Sequence, residues 1–259
     1  MTDPQEQQSK VVATGDGSHT IYSSQFDQHY HNPNGAVAES KHVFFEQSRL
    51  LDDIRNSNPI TILEVGFGTG LNLLLLMDYV LDMDSNSTIN FYSIEGFPIS
   101  SQTSENLNYF QHLSHSNLAN HLPAIFDNLS DGMNKFQLNS QVTLHLFNGM
   151  FESFNPDDLR ADYIFHDAFS PDVNPELWTA DTFKKLADFS TKDALLTTYC
   201  AASKAQGAMA WAGWKVAKTQ GALGKREMII ASLSEEPLAD FNRINEEHYA
   251  HRYEERDFD

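Results

Sequence analysis

Three glycines on alternate positions, Gly66, Gly68 and Gly70, separate a β-favouring run, Ile60 to Val65, from an apolar run that begins at Leu71. That order reads as strand, tight turn and helix. Glycine opens backbone angles closed to other residues and lets a ligand approach the main chain without meeting a Cβ. The unpaired N–H groups at the helix start then face that ligand. Acids recur beside such turns. Glu64 precedes the glycines, and Glu95 and Asp167 each follow a short β-favouring run, Ile89–Ile94 and Tyr163–His166. In open α/β sheets ligands sit beyond the carboxyl ends of the strands, near the switch point. Glu95 is therefore placed to accept hydrogen bonds from both hydroxyls of a ribose. A solvated strand-end acid is the plainer reading, and the glycine turn argues against it.

The elements that must position these residues alternate from residue 60 onward, which predicts an α/β fold with a mostly parallel sheet and crossover helices. After Ile60–Val65 and a helix over Leu71–Leu81 come Ile89–Ile94, Val142–Phe147, Tyr163–His166 and Ala194–Thr198 as strands. Helical stretches are expected at about Ser101–Leu113 and Asn117–Leu129. Lys215–Lys218 and Glu227–Leu233 are joined by the loop Gln220–Gly224, too short for a crossover helix, so this last pair is antiparallel. The count is seven strands. Upstream, Val11–Thr14 and Thr20–Ser23 flank Gly15-Asp16-Gly17-Ser18 as a hairpin, and Ala36–Ile54 has the spacing of one long helix. The expected division is an N-terminal hairpin and helix cap (1–58), a main domain (59–234) and an acidic C-terminal extension (235–259), with a helix around Phe241, Ile244 and Tyr249 docked on the body.

Composition bounds the rest. The chain has 259 residues, enough for one substantial core, and no apolar run approaches the roughly 18 residues that span a bilayer. Met1 to Lys10 is polar and lacks the pattern of a secretory signal, so a cytoplasmic location is expected. The single cysteine, Cys200, excludes an intrachain disulfide and a thiolate zinc cluster. His29-x-His31, His112-x-x-His115 and His248-x-x-His251 lack the helix-borne pattern of a zinc site, and no metal is expected. A net charge of −19 argues, taken whole, against an anionic partner. Its distribution does not, because eight basic residues face two acids between Lys184 and Arg226. That stretch is either a solvated face or one reserved for phosphates.

Motifs then narrow the class. The dinucleotide fingerprint places its third glycine one position later than this chain does. With Glu64 ahead of it, Gly66-Phe-Gly-Thr-Gly70 resembles the first motif of the S-adenosylmethionine-dependent methyltransferases. His166-Asp-Ala-Phe-Ser-Pro-Asp-Val-Asn-Pro-Glu-Leu-Trp178, Gly224-Lys-Arg-Glu-Met228 and Ala38-Glu-Ser-Lys-His-Val-Phe44 resemble the MnmC/MnmD family from about Tyr22 to Leu233. Members methylate the 5-aminomethyl group on the wobble uridine of certain tRNAs. The resemblance implies a Rossmann-like class I methyltransferase fold with an antiparallel last strand, S-adenosylmethionine as cofactor and tRNA as partner. It also implies cofactor contacts at Glu64, Gly66, Phe67, Gly68, Gly70, Asn72, Glu95, Gly149, Met150, Asp167, Ala168 and Phe169. Met150 stands where the family usually has an acid. Asp167 is the expected catalytic residue, orienting the amine and accepting or relaying its proton. Tyr30, Glu39, His42, Lys225 and Arg226 are the expected substrate contacts.

Longer members carry a flavin-dependent half; this chain is expected to act without it and without FAD. Three rivals stay open on the sequence. A small-molecule amine N-methyltransferase or aminopropyltransferase shares the sheet and an acidic amine pocket. An NAD-dependent oxidoreductase is disfavoured by the glycine spacing. A cofactor-binding scaffold without chemistry would tolerate loss of Asp167.

Overall fold

Two strands, β1 (Ser9–Ala13) and β2 (His19–Ser23), pair antiparallel around a turn that Asp16 closes. Its carboxylate accepts the Ser18 N–H at 2.9 Å and the Thr14 hydroxyl at 2.8 Å, and its other oxygen accepts the Ala38 N–H at 2.9 Å. The hairpin is thus tied to the helix that follows. This computed structural model describes residues 9–258; the first eight residues of the expected cap, and Asp259, lie outside the described residues. A third strand, β3 (Gln28–His29), extends the hairpin to a small sheet.

The single helix expected over Ala36–Ile54 is interrupted. Helix α1 (Ala36–Ser40) widens into a π-helical segment, Lys41–Glu46, and α2 (Leu50–Arg55) begins after a break. At the break Ser48 donates its hydroxyl to the Phe44 carbonyl and accepts the Leu50 N–H, local bonds that compete with the helix ladder. Of the residues whose spacing marked the face, Val43, Phe44 and Leu50 are buried and Leu51 is partly buried, so the apolar spacing identified the face and missed the irregularity.

The main sheet contains β4 (Ile60–Val65), β5 (Ile89–Glu95), β6 (Gly132–Gln137), β7 (Val142–Asn148), β8 (Ala161–His166), β9 (Ser190–Thr198), β10 (Lys215–Gln220), β11 (Glu227–Ser232) and β12 (Asn242–Arg243). Its order is β12-β10-β11-β9-β8-β4-β5-β7-β6. β7, β5, β4, β8 and β9 run parallel, and β11 lies antiparallel between β9 and β10. The seven expected strands are all present. Two more flank them, β6 antiparallel to β7 and β12 antiparallel to β10. Order reverses at β4, whose neighbours β5 and β8 both run parallel to it, so the switch point lies at the carboxyl end of β4.

Helices cover both faces: α3 (Leu71–Asp82), α4 (Ser101–Glu105), α5 (His121–Asp127), α6 (Ala180–Asp188), α7 (Ser203–Trp211) and α8 (Glu246–Glu254). Alternate strand residues sort into two cores. Ile60, Ile62, Phe91 and Phe165 pack with α3 and with Phe44, Phe45, Leu50 and Ile54 of the N-terminal cap. Leu63, Val65, Ile164 and Leu196 pack with Phe183, Leu186, Ala208 and Trp214 on the other side. The helical stretches expected over 101–113 and 117–129 are shorter than the sequence spacing implied, each being one short helix and a 3-10 turn. The C-terminal helix is α8, with Tyr249 on it; Phe241 and Ile244 lie ahead of it. It packs closely on α7, where a Cβ on Gly207 would stand 3.0 Å from the Tyr249 carbonyl. Asp78 and His115 form a helix-to-loop clasp: the carboxylate accepts the Ser114 and His115 N–H groups at 3.0 and 2.8 Å. Asp82 and the His115 ring complete a three-residue cluster there, which the histidine spacing had not marked as a site. Among the described residues no helix is long and apolar enough to cross a membrane.

Candidate active site

The glycine turn sits at the switch point and takes the backbone angles its composition allows. Gly66, Gly68 and Gly70 have φ of 97°, 54° and 76°. A Cβ on Gly66 would lie 2.7 Å from the carbonyl oxygen of Asp167, so absence of a side chain lets the ends of β4 and β8 touch backbone to backbone. A Cβ on Gly68 would lie 3.1 Å from the Tyr30 ring. Over this turn opens a cavity. Gly66, Phe67, Gly68, Asn72, Glu95, Gly149, Met150, Asp167, Ala168 and Phe169 all line it, as do Phe26, Tyr30 and Phe97.

Carboxylates define the floor. Glu95 accepts the Gly68 N–H at 2.7 Å and the Phe97 N–H at 2.8 Å, and burial raises its pKa against those bonds. Glu64 is 1% exposed, and burial pushes it up to about 8 although Ser93 and Asn72 donate to it at 2.6 and 2.9 Å. Asp167 is raised well above the usual carboxylate range, first by burial and then by the neighbouring charges of Glu64 and Glu39. The Asn72 amide nitrogen donates to Asp167 at 2.9 Å and so bridges the two acids. Its carbonyl oxygen is buried with no partner. His166, next in sequence to Asp167, is fully buried against Trp178 and Phe183, and burial lowers it to about 3.

A second cavity adjoins the first. Tyr30, His31, Asp167, Ala168 and Phe169 line both, and Glu39, Phe44, Tyr199 and Lys225 line only the second. Asp167 therefore stands in a wall common to two chambers. Glu39 accepts the Asn32 N–H and side-chain amide at 3.1 and 3.0 Å and the Lys225 ammonium at 2.8 Å. Tyr199 donates its hydroxyl to the Ala168 carbonyl at 2.8 Å.

Residues 114–234 match a family model described as S-adenosyl-L-methionine-dependent methyltransferase. The chain carries such a methyltransferase domain. It is 34% identical over 222 residues to a tRNA 5-methylaminomethyl-2-thiouridine biosynthesis bifunctional protein MnmC from Leptospira interrogans, which covers 83% of this chain and 34% of that protein. The namesake from Dichelobacter nodosus is 29% identical over 84% of this chain and 36% of its own length. The chain thus spans about a third of the curated relatives it matches. In three dimensions it is similar to MNMC2 from Aquifex aeolicus, with a TM-score of 0.74 and 24% identity over 97% of this chain and 77% of that one.

The methyltransferase cavity has the donor set its cofactor requires. S-adenosylmethionine carries two cationic centres, a sulfonium and an α-ammonium. Asp167 and the unpartnered Asn72 oxygen offer acceptors for positive charge, and Glu95 offers its carboxylate to ribose. Met150, 46% exposed, lies against Gly96 and presents an apolar wall where an acid was the family pattern. Glu64 lies under the cavity, bonded to Asn72, and Gly70 caps α3 behind it against Leu122. Two expected substrate residues stand elsewhere. His42 is held 2.7 Å from the Gln220 carbonyl and 3.4 Å from Glu46, outside both cavities, and the Arg226 side chain is 93% exposed. The sequence reading passed over Phe26, His31, Phe97 and Tyr199. Tyr199 had a signal, since it follows β9 as Asp167 follows β8; Phe26, in a polar loop, had none.

Proposed function

We propose that this methyltransferase transfers a methyl group from S-adenosylmethionine to the amine of 5-aminomethyl(-2-thio)uridine at the wobble position of tRNA, in the cytoplasm. The observation that carries the reading is the wall shared by the two chambers, with a half-buried carboxyl, Asp167, lining both. The names of the relatives support the choice of nucleoside. In this reading residues 1–58 cap a catalytic body, 59–234, and 235–259 extend it.

The cofactor supplies an electrophilic methyl carbon; the protein holds, orients and manages protons. Methyl transfer to nitrogen is an in-line displacement governed by positioning. The incoming amine is mostly protonated at neutral pH, and only its neutral form has a lone pair. A carboxylate in the shared wall accepts a hydrogen bond from the amine, takes or relays its proton, and offsets the sulfonium charge before transfer. Asp167 fits because its raised pKa brings proton affinity toward working pH. Glu64 and Asn72 fix the orientation of its side chain from below. Glu95 and the glycine turn hold the nucleoside part of the cofactor, and Phe169, backed by Phe26 and Tyr30, keeps water from the transfer line. Arg226 contributes to docking of the tRNA backbone.

The test is incubation with methyl-labelled S-adenosylmethionine and tRNA bearing 5-aminomethyl-2-thiouridine. Label in the wobble nucleoside is expected. An intact, cofactor-binding protein that leaves this tRNA unlabelled would end the proposal.

A further inference from the structure

The turn between β10 and β11 sends two consecutive basic side chains in opposite directions. Leu223 and Gly224 both take positive φ, 51° and 82°, and reverse the chain just before Lys225. A Cβ on Gly221 would stand 2.6 Å from the Lys225 carbonyl oxygen, so the loop is closed tightly on itself. Arg226 then faces solvent, whereas the Lys225 ammonium enters the second chamber.

Inside, it meets two partners of a particular kind. Its nitrogen is 2.8 Å from Glu39, whose side chain is only 12% exposed, and 5.1 Å from the centroid of the Tyr199 ring. A carboxylate and an aromatic face on one cation is how an alkylammonium is recognised. Glu39 is held ready by two donors from Asn32, and Tyr199 by its bond to Ala168 in the shared wall. The Lys225 side chain, by contrast, is 43% exposed, so the head can swing out without disturbing the core.

We infer that the Glu39–Tyr199 cradle is the subsite for the substrate's alkylammonium and that Lys225 is its resident occupant, displaced when substrate enters. The inference rests on the reading that the substrate is a primary amine. It gives the two residues of the Lys-Arg pair separate tasks: Lys225 sets selectivity for an amine over other groups of similar size, and Arg226 alone faces outward. A neutral nucleoside cannot replace the ammonium beside Glu39, so it leaves the lysine in place.

The experiment measures binding of free 5-aminomethyluridine and of 5-hydroxymethyluridine to protein saturated with S-adenosylhomocysteine. Removing the competing head by Lys225→Met tightens the aminomethyl nucleoside by about tenfold, the scale of one charge-assisted hydrogen bond, and leaves the hydroxymethyl nucleoside unchanged. Adding Glu39→Gln to that variant erases the preference for the amine. On the wild-type protein, aminomethyl nucleoside exposes Lys225 and speeds its acetylation by acetic anhydride, read by peptide mass spectrometry. Weaker or unchanged amine binding by Lys225→Met, or slower acetylation on nucleoside addition, overturns the inference. Should Lys225→Met not fold, the wild-type acetylation decides alone. Wild-type protein that binds the amine by displacing Lys225 yet methylates no tRNA would remove the proposed reaction and keep the subsite.

Discussion

Asn72 stands between a buried carboxyl and a half-buried one, its amide nitrogen 2.9 Å from Glu64 and 2.9 Å from Asp167. One neutral side chain with two N–H donors thus serves two acids that burial drives toward protonation; the charge of Glu64 raises Asp167 further, and that of Glu95 raises Glu64. Proton affinity is stored where the amine must lose a proton.

Replacing the Asp167 carboxyl tests that arrangement directly. Asp167→Asn keeps the volume and removes the base, and it should lower single-turnover methyl transfer by about 10²- to 10⁴-fold. Binding of S-adenosylhomocysteine, measured by calorimetry, should change by less than about tenfold, because Glu95 and the glycine turn are untouched.

Glu64 makes the stability of the ligand-free protein depend on pH with a definite sign. Its folded-state value, about 8, lies above the unfolded carboxylate value, so the native state binds the extra proton. Stability from this group is complete below about pH 4.5 and is lost as pH rises toward 8. Glu64→Gln removes the dependence, so its stability relative to the parent should increase steadily between pH 5 and 8 in urea titrations. His31 and His166, depressed to about 4 and 3 by burial, act oppositely, losing stability as pH falls below about 6.5 in both proteins. The comparison between the two proteins isolates Glu64.

Gly66→Ala places a methyl 2.7 Å from a backbone oxygen at a φ of 97°. Neither the β4 nor the β8 backbone can retreat without moving Asp167. The variant should lose about 1–3 kcal/mol of stability, read by chemical denaturation, and its methyl transfer should fall even where it stays folded.

Arg226→Ala should weaken tRNA binding evenly across tRNA species and lower the slope of log affinity against log salt by about one. With tRNA that lacks the aminomethyl group, Lys225→Met should leave that slope unchanged, because its charge stays turned into the chamber. Filter binding over a range of salt concentrations separates the two.

The sheet was legible wherever strands are buried on both faces. Ile60–Val65 and Ala194–Thr198 announce themselves as apolar runs, and their order with the glycine turn fixed where Glu95 and Asp167 would fall. β6 was not legible: only Asn134 in it is fully buried, and it is held by pairing with β7 rather than by an apolar pattern. β12 has two residues, too few for any period. In the site, the family resemblance grouped Glu39 with His42, and on a regular helix residues three apart share a face. The π-helical widening from Lys41 changes that register, and His42 goes to the β10–β11 loop instead. Tyr199 was missed because a tyrosine after a strand carries no motif; its meaning comes from Lys225, brought to it across the fold.

The small N-terminal sheet and its helix supply Phe26 to one chamber, Glu39 to the other and Tyr30 to both, while Phe44 and Phe45 fill the core beneath β8. Trimming the chain back to Pro59 would therefore strip the lining from both rooms and leave a raw apolar scar along the strands they shelter. A minimal engineered version has to keep this segment, and grafting it onto another sheet of the same winding is the way to transplant the selectivity with it.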